Sequence, residues 1–562
     1  MKRAGLLLAL AIVACGGAGA PKVKAPPAST SKRPYKLVVS IVVDQLSGWE
    51  MRARLPLLPK DGGFARLARE GAYYTRATYP HLATDTAPGH AALYTGVPAG
   101  KSGVFSNEVV LPSGAIASVY RDEETQIIGA GDAGKGLKSS SARRLRVPTV
   151  ADQFRTKFPA AKIVTLSLKD RGAIPGGGSN PTVALWFDAK SARMVTSSAF
   201  AKALPPWLDG KNAVDKEVYG RPWTMANDEW VKSNAPTKDG APGEGNMAGL
   251  GTVFPHPVTH GEFFGLAFRT TPYGDEYLLS LARDAIDHEK LGEGPSLLAV
   301  SLSSHDYIGH VFGPDSWEAW DELYRLDTEL GKFLGFLDSR FGADGYAVLL
   351  SADHGITSLP EMRTSEASDA PCKDESCDEF RKVGSNLRFY PEELKSSLDK
   401  LMRAELSVAE PLVLGIAEPY VVLTPRGKEL LAAPENDAAF ERVHEKWIHA
   451  YKEQIALLSV RKGVAVCRRR EAEQVHDSPD WTAMCETFDL AGGEFFIRTN
   501  FGAILDSGYV PGFGTNHGTS SPFDREVPIF ARAPKSWQGG KQVVQAQPIS
   551  IFARDLRTVL GL

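Results

Sequence analysis

The stretch KLVVSIVVD, residues 36–44, is the strongest indication of the fold class, because it is apolar at nearly every position and ends on a carboxylate. A run of this kind, without polar alternation, is typical of a strand that is buried on both faces of a parallel sheet. Three further segments have the same character, namely AKIVTLSL (161–168), SLLAVSLSS (296–304) and YAVLLSAD (346–353). The sequence therefore predicts four buried parallel strands.

Helical patterns separate these strands, for example at 147–158, 275–290 and 316–341. Strands that alternate with helices predict an α/β fold, with a mostly parallel sheet flanked by helices on both faces. Two long segments interrupt the alternation: residues 178–270, rich in Trp, Pro and Gly, predict an inserted lid, and residues 360–510 predict an accessory insertion that holds cysteines. The α/β core is then expected in three parts, at 35–177, 271–359 and 511–562.

The N-terminus MKRAGLLLALAIVACGG has a basic start, a short apolar run and small residues, which predicts a secretory signal peptide over residues 1–20. IVAC, ending at Cys15, is typical of a bacterial lipoprotein cleavage site, whereas AGA at 18–20 fits ordinary signal peptidase. The composition of residues 21–34 predicts a flexible linker. We expect an exported protein, periplasmic or at the cell surface, and either soluble or lipid-anchored at Cys15.

Four cysteines remain after such processing: Cys372, Cys377, Cys467 and Cys485. An even number in an exported protein favours disulfides, and of the three connectivities we expect the local pairs Cys372–Cys377 and Cys467–Cys485. A cysteine-rich zinc site is the weaker interpretation, because the C-x-x-C spacing does not occur.

The charge of the chain argues against a nucleic-acid partner. The 562 residues carry a net charge of −3, and no basic stripe interrupts them. The densest basic cluster, CRRRE at 467–471, is typical of a solvated face.

Metal-binding side chains follow the predicted strands. Asp44 ends the first strand, Asp306 and His310 follow the segment at 296–304, and the segment at 346–353 ends in Asp353 before His354. The carboxyl ends of parallel strands meet at one edge of a sheet, so these groups should converge. A further histidine, His517, lies in a Gly-rich loop before a predicted strand at 527–532. Carboxylate oxygens and imidazole nitrogens together suit Zn²⁺.

The stretch TDTAPGHAALYTG, residues 84–96, crowds hydroxyls, a carboxylate and a histidine before an apolar run. Either Thr84 or Thr86 only caps the following helix, or one of these hydroxyls is a nucleophile at the positive end of that helix. Threonine is a poor nucleophile at neutral pH, but a coordinated zinc ion lowers the pKa of a bound oxygen. The helix N-terminus beyond APGH would add N–H groups for an anion. Such a site suits phosphoryl transfer.

Five motifs in family order resemble the alkaline phosphatase superfamily. They are most similar to its phosphate-irrepressible, PafA-like type and to its type I phosphodiesterase/nucleotide pyrophosphatase branch. The motifs are VVDQL (42–46), DTAPGHAALYTGVPAGKSGVFSN (85–107), SSHDYIGHVFGP (303–314), SADHG (351–355) and GTNHGTSSPFDREVP (514–528). They extend over most of the chain that follows the predicted linker.

This resemblance implies two Zn²⁺ per chain, an alkaline-phosphatase-like core and a monomer. It implies Asp306, His310 and His517 as ligands of one zinc ion. It implies Asp44, Asp353, His354 and Thr86 as ligands of the other. Thr86, rather than Thr84, would be the nucleophile and form a phosphothreonine intermediate, and Asn107 would bind a phosphate oxygen. Water then releases phosphate in a second displacement.

The choice between a monoester and a diester substrate depends on Lys169 and Arg171. They lie in KDRG, directly after the segment at 161–168. Two charges after a strand are commonly just solvated, but the pair matches the Lys-x-Arg of the PafA-like phosphatases and would bind the third free oxygen of a monoester. We therefore expect an exported phosphomonoesterase that acts on small phosphate monoesters, with no membrane contact beyond a lipid anchor. The alternatives are a phosphodiesterase or nucleotide pyrophosphatase of the same superfamily and, more remotely, a non-catalytic surface lipoprotein.

Four other histidines are discounted as ligands. His256 and His260 have i, i+4 spacing, but Pro257 makes a helix there improbable on physical grounds. His90 is expected to orient its loop, and His305 to point away from Asp306. The absence of C-x-P-x-R from the sequence disfavours a sulfatase.

Overall fold

The computed structural model describes residues 35–364, 387–451, 454–473, 479–500, 502–506, 510–537 and 539–562. The predicted signal peptide with Cys15, the predicted linker at 21–34, and the pair Cys372 and Cys377 lie outside the described residues. Among the described residues, every helix is too short or too polar to cross a bilayer.

In the described part of the chain, twelve strands form one large sheet. Eleven follow one another across it, and the twelfth, β20 (Gln547–Pro548), pairs beside β19 on β2. From one edge to the other they are β19 (Lys541–Val543), β2 (Ala72–Thr78), β18 (Glu526–Arg532), β11 (Tyr346–Ser351), β1 (Leu37–Val43), β10 (Ser296–Leu302), β7 (Lys162–Ser167), β8 (Val183–Asp188), β9 (Arg193–Ser197), β5 (Arg121–Ile128) and β6 (Lys138–Ser140).

The centre of the sheet confirms the four predicted parallel strands. β11, β1, β10 and β7 are parallel neighbours, and every residue of β1 is buried, which explains its continuous apolar character. Val43 of β1 pairs with Leu302 of β10, and Val42 of β1 pairs with Ser351 of β11. The carboxyl ends of these strands therefore lie at one level.

The flanks of the sheet are antiparallel in part, so the whole sheet is mixed. β18 runs against both β11 and β2, and β9 runs against β8 and β5. β8 and β9 come from the segment 178–270, whose first part thus extends the sheet before the short helices that follow. Antiparallel neighbours can follow a tight turn, whereas parallel ones need a crossover, which is why only the helix-separated strands form the parallel centre.

Helices cover the sheet and confirm an α/β fold. α10 packs on β10, α12 on α2 and α11, and α20 on β1 and β11. The helices are α1 (Gly48–Arg54), α2 (Gly63–Glu70), α3 (Thr86–Thr95), α4 (Ala99–Ser102), α5 (Val150–Lys157), α6 (Asp170–Gly177), α7 (Lys216–Tyr219), α8 (Asp228–Asn234), α9 (Phe264–Arg269), α10 (Tyr273–His288), α11 (Ser304–Phe312), α12 (Trp317–Phe341), α13 (Pro360–Thr364), α14 (Pro391–Leu406), α15 (Pro425–Ala432), α16 (Asp437–Ala450), α17 (Val460–Glu473), α18 (Pro479–Cys485), α19 (Pro522–Arg525) and α20 (Ser550–Leu560).

The predicted accessory segment builds a second, smaller sheet with its own core. Its strands are β13 (Val413–Ala417), β14 (Tyr420–Leu423), β16 (Phe495–Thr499) and β15 (Ile455–Ser459), all antiparallel to their neighbours. α14 and α16 contribute Leu398 and Trp447 to this core. Two further strand pairs are β3 (Glu108–Val110) with β4 (Ile116–Ser118) and β12 (Arg388–Phe389) with β17 (Ile504–Leu505).

A disulfide joins Cys467 in α17 to Cys485 in α18, which confirms one of the two predicted pairs. The bond closes a loop with a sequence separation of 18 residues. Closing a loop of this size restricts the unfolded chain and contributes about 3 kcal/mol. We expect the variant Cys467→Ser/Cys485→Ser to unfold at lower urea concentration, with a free energy of unfolding reduced by about that amount. An unchanged urea midpoint would show that the bond does not stabilise the native protein.

Candidate active site

Three aspartates meet where the parallel strands end. Asp44 follows β1, and its N–H donates to the carbonyl of Leu302 at the end of β10, at 2.8 Å. Asp306 lies in the first turn of α11, directly after β10, and Asp353 follows β11. All three are fully buried. The three aspartates therefore converge at this edge of the sheet, as expected.

Two groups of carboxylates and imidazoles in this region could hold a metal ion. In each group, one ligand-type atom per residue lies within 4.8 Å of the others. The first group is Asp306, His310 and His517, and the second is Asp44, Asp306 and His354. Asp306 belongs to both groups and therefore connects them. The sequence prediction that these residues from four separate segments come together agrees with this geometry.

The three imidazoles are held in one tautomer. The Nδ1 atoms of His310, His354 and His517 lie 2.9–3.0 Å from the backbone carbonyls of Thr515, Gly355 and Thr84. A carbonyl only accepts, so each Nδ1 carries the hydrogen and each Nε2 is left to bind a cation, the second-sphere pattern usual for metal-binding histidines.

The Nε2 atoms face carboxylate oxygens. His310 and His517 Nε2 lie 3.3 and 3.6 Å from Asp306 Oδ1, and His354 Nε2 lies 3.4 Å from Asp44 Oδ1. A nitrogen lone pair beside a carboxylate oxygen needs a positive charge between them, either a proton or a metal ion. The pKa of His517 agrees with this requirement. Burial lowers that pKa, but the carboxylates of Asp306 and Asp85 raise it to about 10. The site attracts positive charge.

The buried carboxylates of the site have few partners. Among the described residues, no hydrogen bond of normal geometry reaches the carboxylate of Asp44 or Oδ2 of Asp353, and the near groups are basic: Lys169 Nζ lies 2.8 Å from Asp44 Oδ2, and His90 Nδ1 lies 3.0 Å from Asp353 Oδ2. Several buried carboxylates in close proximity are costly, and metal coordination offsets that cost. The mixture of oxygen and imidazole nitrogen donors fits Zn²⁺ and related divalent cations. The residues present therefore fit a metal centre.

The place of Asp353 differs from the arrangement that the resemblance implies. The second group contains Asp306 in the place implied for Asp353. Asp353 Oδ1 accepts from the N–H groups of Gln45 and His354, at 3.1 and 3.0 Å, and its Oδ2 lies 3.5 Å from His354 Nε2. One carboxylate oxygen of Asp353 thus organises backbone, and the other faces the second group.

Thr86 is the first residue of α3 and is fully buried at the edge of the second group. Its Oγ1 lies 3.4 Å from His354 Nε2. The hydroxyl of Thr84 donates instead to the carbonyl of Thr519, at 2.8 Å, which ties two loops together. Of the two threonines, Thr86 is the one whose hydroxyl faces the metal-binding groups.

Helix α3 begins earlier in the sequence than we expected. We expected it to begin beyond APGH, but α3 begins at Thr86 and includes this tetrapeptide. Pro88 is tolerated because it lies in the first turn, where N–H groups have no partner within the helix. The helix N-terminus is therefore at the candidate nucleophile itself.

Two glycines permit the close approach of the segments that build the site. A Cβ on Gly89 of α3 would lie 2.1 Å from the carbonyl oxygen of Asp353, and one on Gly514 would lie 1.9 Å from that of His310. Gly514 also has a positive φ of 73°. Larger residues here would push α3 and the His517 loop away from the metal-binding groups.

Lys169 reaches into the middle of the site. Its Nζ lies 2.8 Å from Asp44 Oδ2 and 2.5 Å from Asp306 Oδ2, and it donates to Thr86 Oγ1 at 3.2 Å. Burial lowers the pKa of Lys169, but Asp306 and Asp44 raise it above its usual value, so the ammonium stays charged. The ring of Tyr307 lies 5.0 Å from Nζ on another side.

Arg171 and Asn107 lie beside this lysine and α3. Lys169 has an extended backbone at the start of α6, and Arg171 lies in the first turn of that helix. Asn107 accepts from the N–H of Ala87 in α3 at 2.8 Å through Oδ1, which leaves its amide nitrogen as a donor. No motif spacing indicated that Asn107 caps the helix that begins at Thr86.

Several supporting residues were not found from the sequence. Gln45, with a positive φ of 72°, donates its side chain to Asp306 Oδ1 at 3.0 Å as well as its N–H to Asp353. Asp85 Oδ1 lies 3.4 Å from His517 Nδ1. Each lies next to a predicted site residue in sequence, and that adjacency was the one signal available.

The discounted histidines lie outside both groups. His305 Nδ1 lies 2.5 Å from Glu322 of α12, away from the site, and these two residues support the start of α11. His90 lies within α3 rather than in a loop, and its Nδ1 lies 2.9 Å from the carbonyl of Thr86 and 3.0 Å from Asp353 Oδ2, so it connects α3 to Asp353. His256 pairs with Glu318 at 2.9 Å.

Curated relatives of this chain include alkaline phosphatases. It is 34% identical to alkaline phosphatase PhoV of Synechococcus elongatus over 63% of this chain and 66% of PhoV. It is also 34% identical to alkaline phosphatase PafA of Elizabethkingia meningoseptica, over 61% of this chain and 63% of PafA. The chain thus spans between 54% and 66% of the length of the curated relatives it matches.

A solved structure and a family model extend the comparison. The crystal structure of wild-type alkaline phosphatase PafA superimposes with a TM-score of 0.77 at 23% identity, covering 95% of this chain and 97% of the other, which confirms the predicted fold. Residues 38–486 match the model of the type I phosphodiesterase / nucleotide pyrophosphatase family. The match includes the ends of all four parallel strands and the Thr86 motif. The chain therefore belongs to the type I phosphodiesterase / nucleotide pyrophosphatase family.

Proposed function

We propose that this protein is a two-metal phosphomonoesterase of the alkaline phosphatase type, with Zn²⁺ as its metal and Thr86 as its nucleophile. The observation that carries the proposal is the buried meeting of Thr86 Oγ1, Lys169 Nζ and two adjoining carboxylate–imidazole groups. A hydroxyl, a fixed ammonium and sites for two divalent cations are the parts that phosphoryl transfer uses. The alkaline phosphatases among the relatives support the same activity.

Charge favours a monoester over a diester. The carboxylates of Asp44, Asp306 and Asp353 outnumber the basic groups of Lys169 and Arg171 by one, so two bound divalent cations would leave the site strongly positive. A phosphate monoester is a dianion with three free oxygens, whereas a diester has less charge and a bulky group in place of one oxygen. A positive site with a buried lysine at the nucleophile therefore suits the monoester.

The residues of the chain have distinct roles in the proposed reaction. Thr86 forms a bond to phosphorus as the alcohol leaves, and water later breaks that bond to release phosphate. Lys169 and Arg171 hold the phosphate oxygens, and Asn107 donates its amide N–H to another. His310, His354 and His517, with the aspartates, hold the cations, which when bound lower the pKa of the attacking hydroxyl and offset the charge on the leaving oxygen.

The proposal includes export and a small substrate. The N-terminal sequence supports secretion to the periplasm or cell surface, with Cys15 as the residue that a lipid anchor would use. The substrate is a small phosphate monoester, and the protein acts as a monomer.

The variant Lys169→Ala/Arg171→Ala tests the choice of substrate. We expect kcat/KM for p-nitrophenyl phosphate to fall by about 10²-fold or more, because each lost cation removes stabilisation of the phosphate charge in the transition state. Hydrolysis of bis(p-nitrophenyl) phosphate should change by less than about tenfold, since a diester has no third free oxygen for these groups. Steady-state kinetics with both esters measures the difference.

Lys462→Ala/Arg426→Ala is a matched control, because both residues form surface ion pairs in the accessory segment. It should leave both activities close to wild type. A wild-type protein that prefers the diester, or a double variant that loses both activities equally, would instead favour a phosphodiesterase or nucleotide pyrophosphatase.

A further inference from the structure

A groove of about 780 Å³ lies between α1 and α2, at the β19 edge of the large sheet. We call it the edge groove. Its lining contains none of the residues of the two metal-binding groups. The lining comes from α1 and the residues just after it, from α2 and β2, and from β19 and its flanking residues. A volume of this size is usual for a site that takes a small organic molecule.

The groove follows from how the sheet edge is covered. Tyr73 and Thr75 alternate along β2, and Gln542 and Val544 alternate along and just after β19, so each pair points to one face of the sheet. Tyr73 and Gln542 are direct neighbours in the parallel register. α1 and α2 flank this face, and the gap between them forms the groove.

The floor and walls of the groove are mainly apolar. Met51 and Tyr73 are buried, and Ala65 and Ala68 of α2 are half-buried beside them. Val544 is 58% exposed, which is high for a valine. Short alanine side chains on α2 leave the space, and an apolar molecule that filled it would remove this surface from water.

The charged groups at the groove are arginines. Within the described part of the chain, three arginines line it and no carboxylate does. Glu526, outside the lining, pairs with Arg52 at 3.4 Å and with Arg76 at 2.7 Å. Arg69 is exposed and donates to the carbonyl of Lys60, and within the described ranges no carboxylate pairs with it. The positive charge at the groove therefore exceeds the negative charge.

Tyr73 adds a donor at the floor. Its ring stacks on Phe530 with centroids 4.5 Å apart, and its hydroxyl has no hydrogen-bond partner in the part of the chain that the structure describes. Burial raises the pKa of Tyr73 well above its usual value, so the O–H stays intact. A buried hydroxyl without an acceptor is unfavourable, and an oxygen atom of a bound molecule that reached the floor would satisfy it.

We propose that the edge groove binds a small amphipathic anion, with a carboxylate or similar oxyanion paired to Arg69 and an alkyl or aryl body on the alanine and methionine surface. The planar guanidinium matches an oxyanion with two parallel hydrogen bonds, and the apolar walls fit the rest of such a molecule. The occupant is a free molecule rather than a lipid in a bilayer, because the groove is recessed between two helices.

Calorimetric titration of the full-length protein with decanoate, below the micelle concentration, tests the proposal. We expect decanoate to bind, and decanol and acetate to bind at least about tenfold more weakly, because each lacks one of the two interactions. Arg69→Ala should weaken decanoate binding at least about tenfold, and Ala68→Phe, which fills the groove, should abolish it. Arg340→Ala, an exposed α12 arginine paired with Asp287, is the control and should bind decanoate like wild type.

A further variant distinguishes binding at the edge groove from the chemistry of the active site. Asp306→Ala removes the carboxylate shared by the two metal-binding groups, and it should still bind decanoate, so this experiment is independent of the proposed phosphatase activity. The proposal is overturned if decanol binds as tightly as decanoate, or if Arg69→Ala and Ala68→Phe both bind decanoate as wild type does. It is also overturned if phosphatidylglycerol vesicles bind and free decanoate does not.

Discussion

Thr86→Ala is expected to lower kcat/KM for p-nitrophenyl phosphate by at least about 10⁴-fold, because it removes the proposed nucleophile and leaves only binding and electrostatic stabilisation. The fold should be intact, since Thr86 begins α3 and alanine is well tolerated in a helix. After an acid quench during turnover, mass spectrometry should find a phosphorylated peptide that contains Thr86 in the wild-type protein. The same peptide from the variant should carry no phosphate.

Thr84→Ala is the matched control for that experiment. The same atoms are removed two residues earlier, where the hydroxyl donates to the carbonyl of Thr519. We expect a loss of about 1 kcal/mol of stability from the missing hydrogen bond and activity within about tenfold of wild type. If Thr84→Ala were the inactive variant and Thr86→Ala retained turnover, the nucleophile would have been assigned to the wrong threonine.

Asp306→Ala is expected to remove metal from both groups at once, because Asp306 is the residue they share. It should reduce the metal content, measured by inductively coupled plasma mass spectrometry, to less than one zinc ion per chain, and lower kcat/KM by at least about 10³-fold. His310→Ala removes a ligand from the first group alone. It should therefore leave one site occupied.

Two controls test whether the loss of metal and activity in Asp306→Ala is specific to the metal-binding groups. Asp555→Asn changes a buried aspartate that pairs with Arg554 on α20, and it should retain both metal and activity. Treatment of the wild-type protein with a chelator should abolish activity, and added Zn²⁺ should restore it. Full metal content in Asp306→Ala, or activity that survives the chelator, would contradict a catalytic metal centre held by these residues.

The alternation of strands and helices was predictable because it is a local property. β1, β7, β10 and β11 are mostly apolar because nearly all of their residues are buried on both faces of the sheet, and the sequence shows this as near-continuous apolar runs. The antiparallel flanks carry a weaker mark. β8 and β9, for example, lie in a Trp- and Gly-rich segment whose composition favoured an insertion, and their place beside β7 depends on pairing rather than on pattern.

The meeting of the aspartates was predictable for the same reason. Parallel strands in register end at one edge, so Asp44, Asp306 and Asp353 had to come close once their strands were identified. His517 joins them through a loop that is remote in sequence, and only its resemblance to a family motif indicated this. The start of α3 was misjudged because Pro88 and Gly89 indicate a turn, although both fit the first turn of a helix.

The α/β class, the parallel centre of the sheet and the carboxylates, imidazoles and threonine at its edge could be read from the residues alone, because strand patterns and strand ends depend on neighbouring residues. Four features required the folded chain: Asp306 is shared by both groups, Lys169 contacts Thr86, backbone carbonyls orient the imidazoles, and two helices leave a groove beside β19. Apart from the contact of His354 with the carbonyl of Gly355, these features join residues that are tens to hundreds of positions apart. Such contacts are set by how closely packed elements approach, and no local pattern encodes that distance.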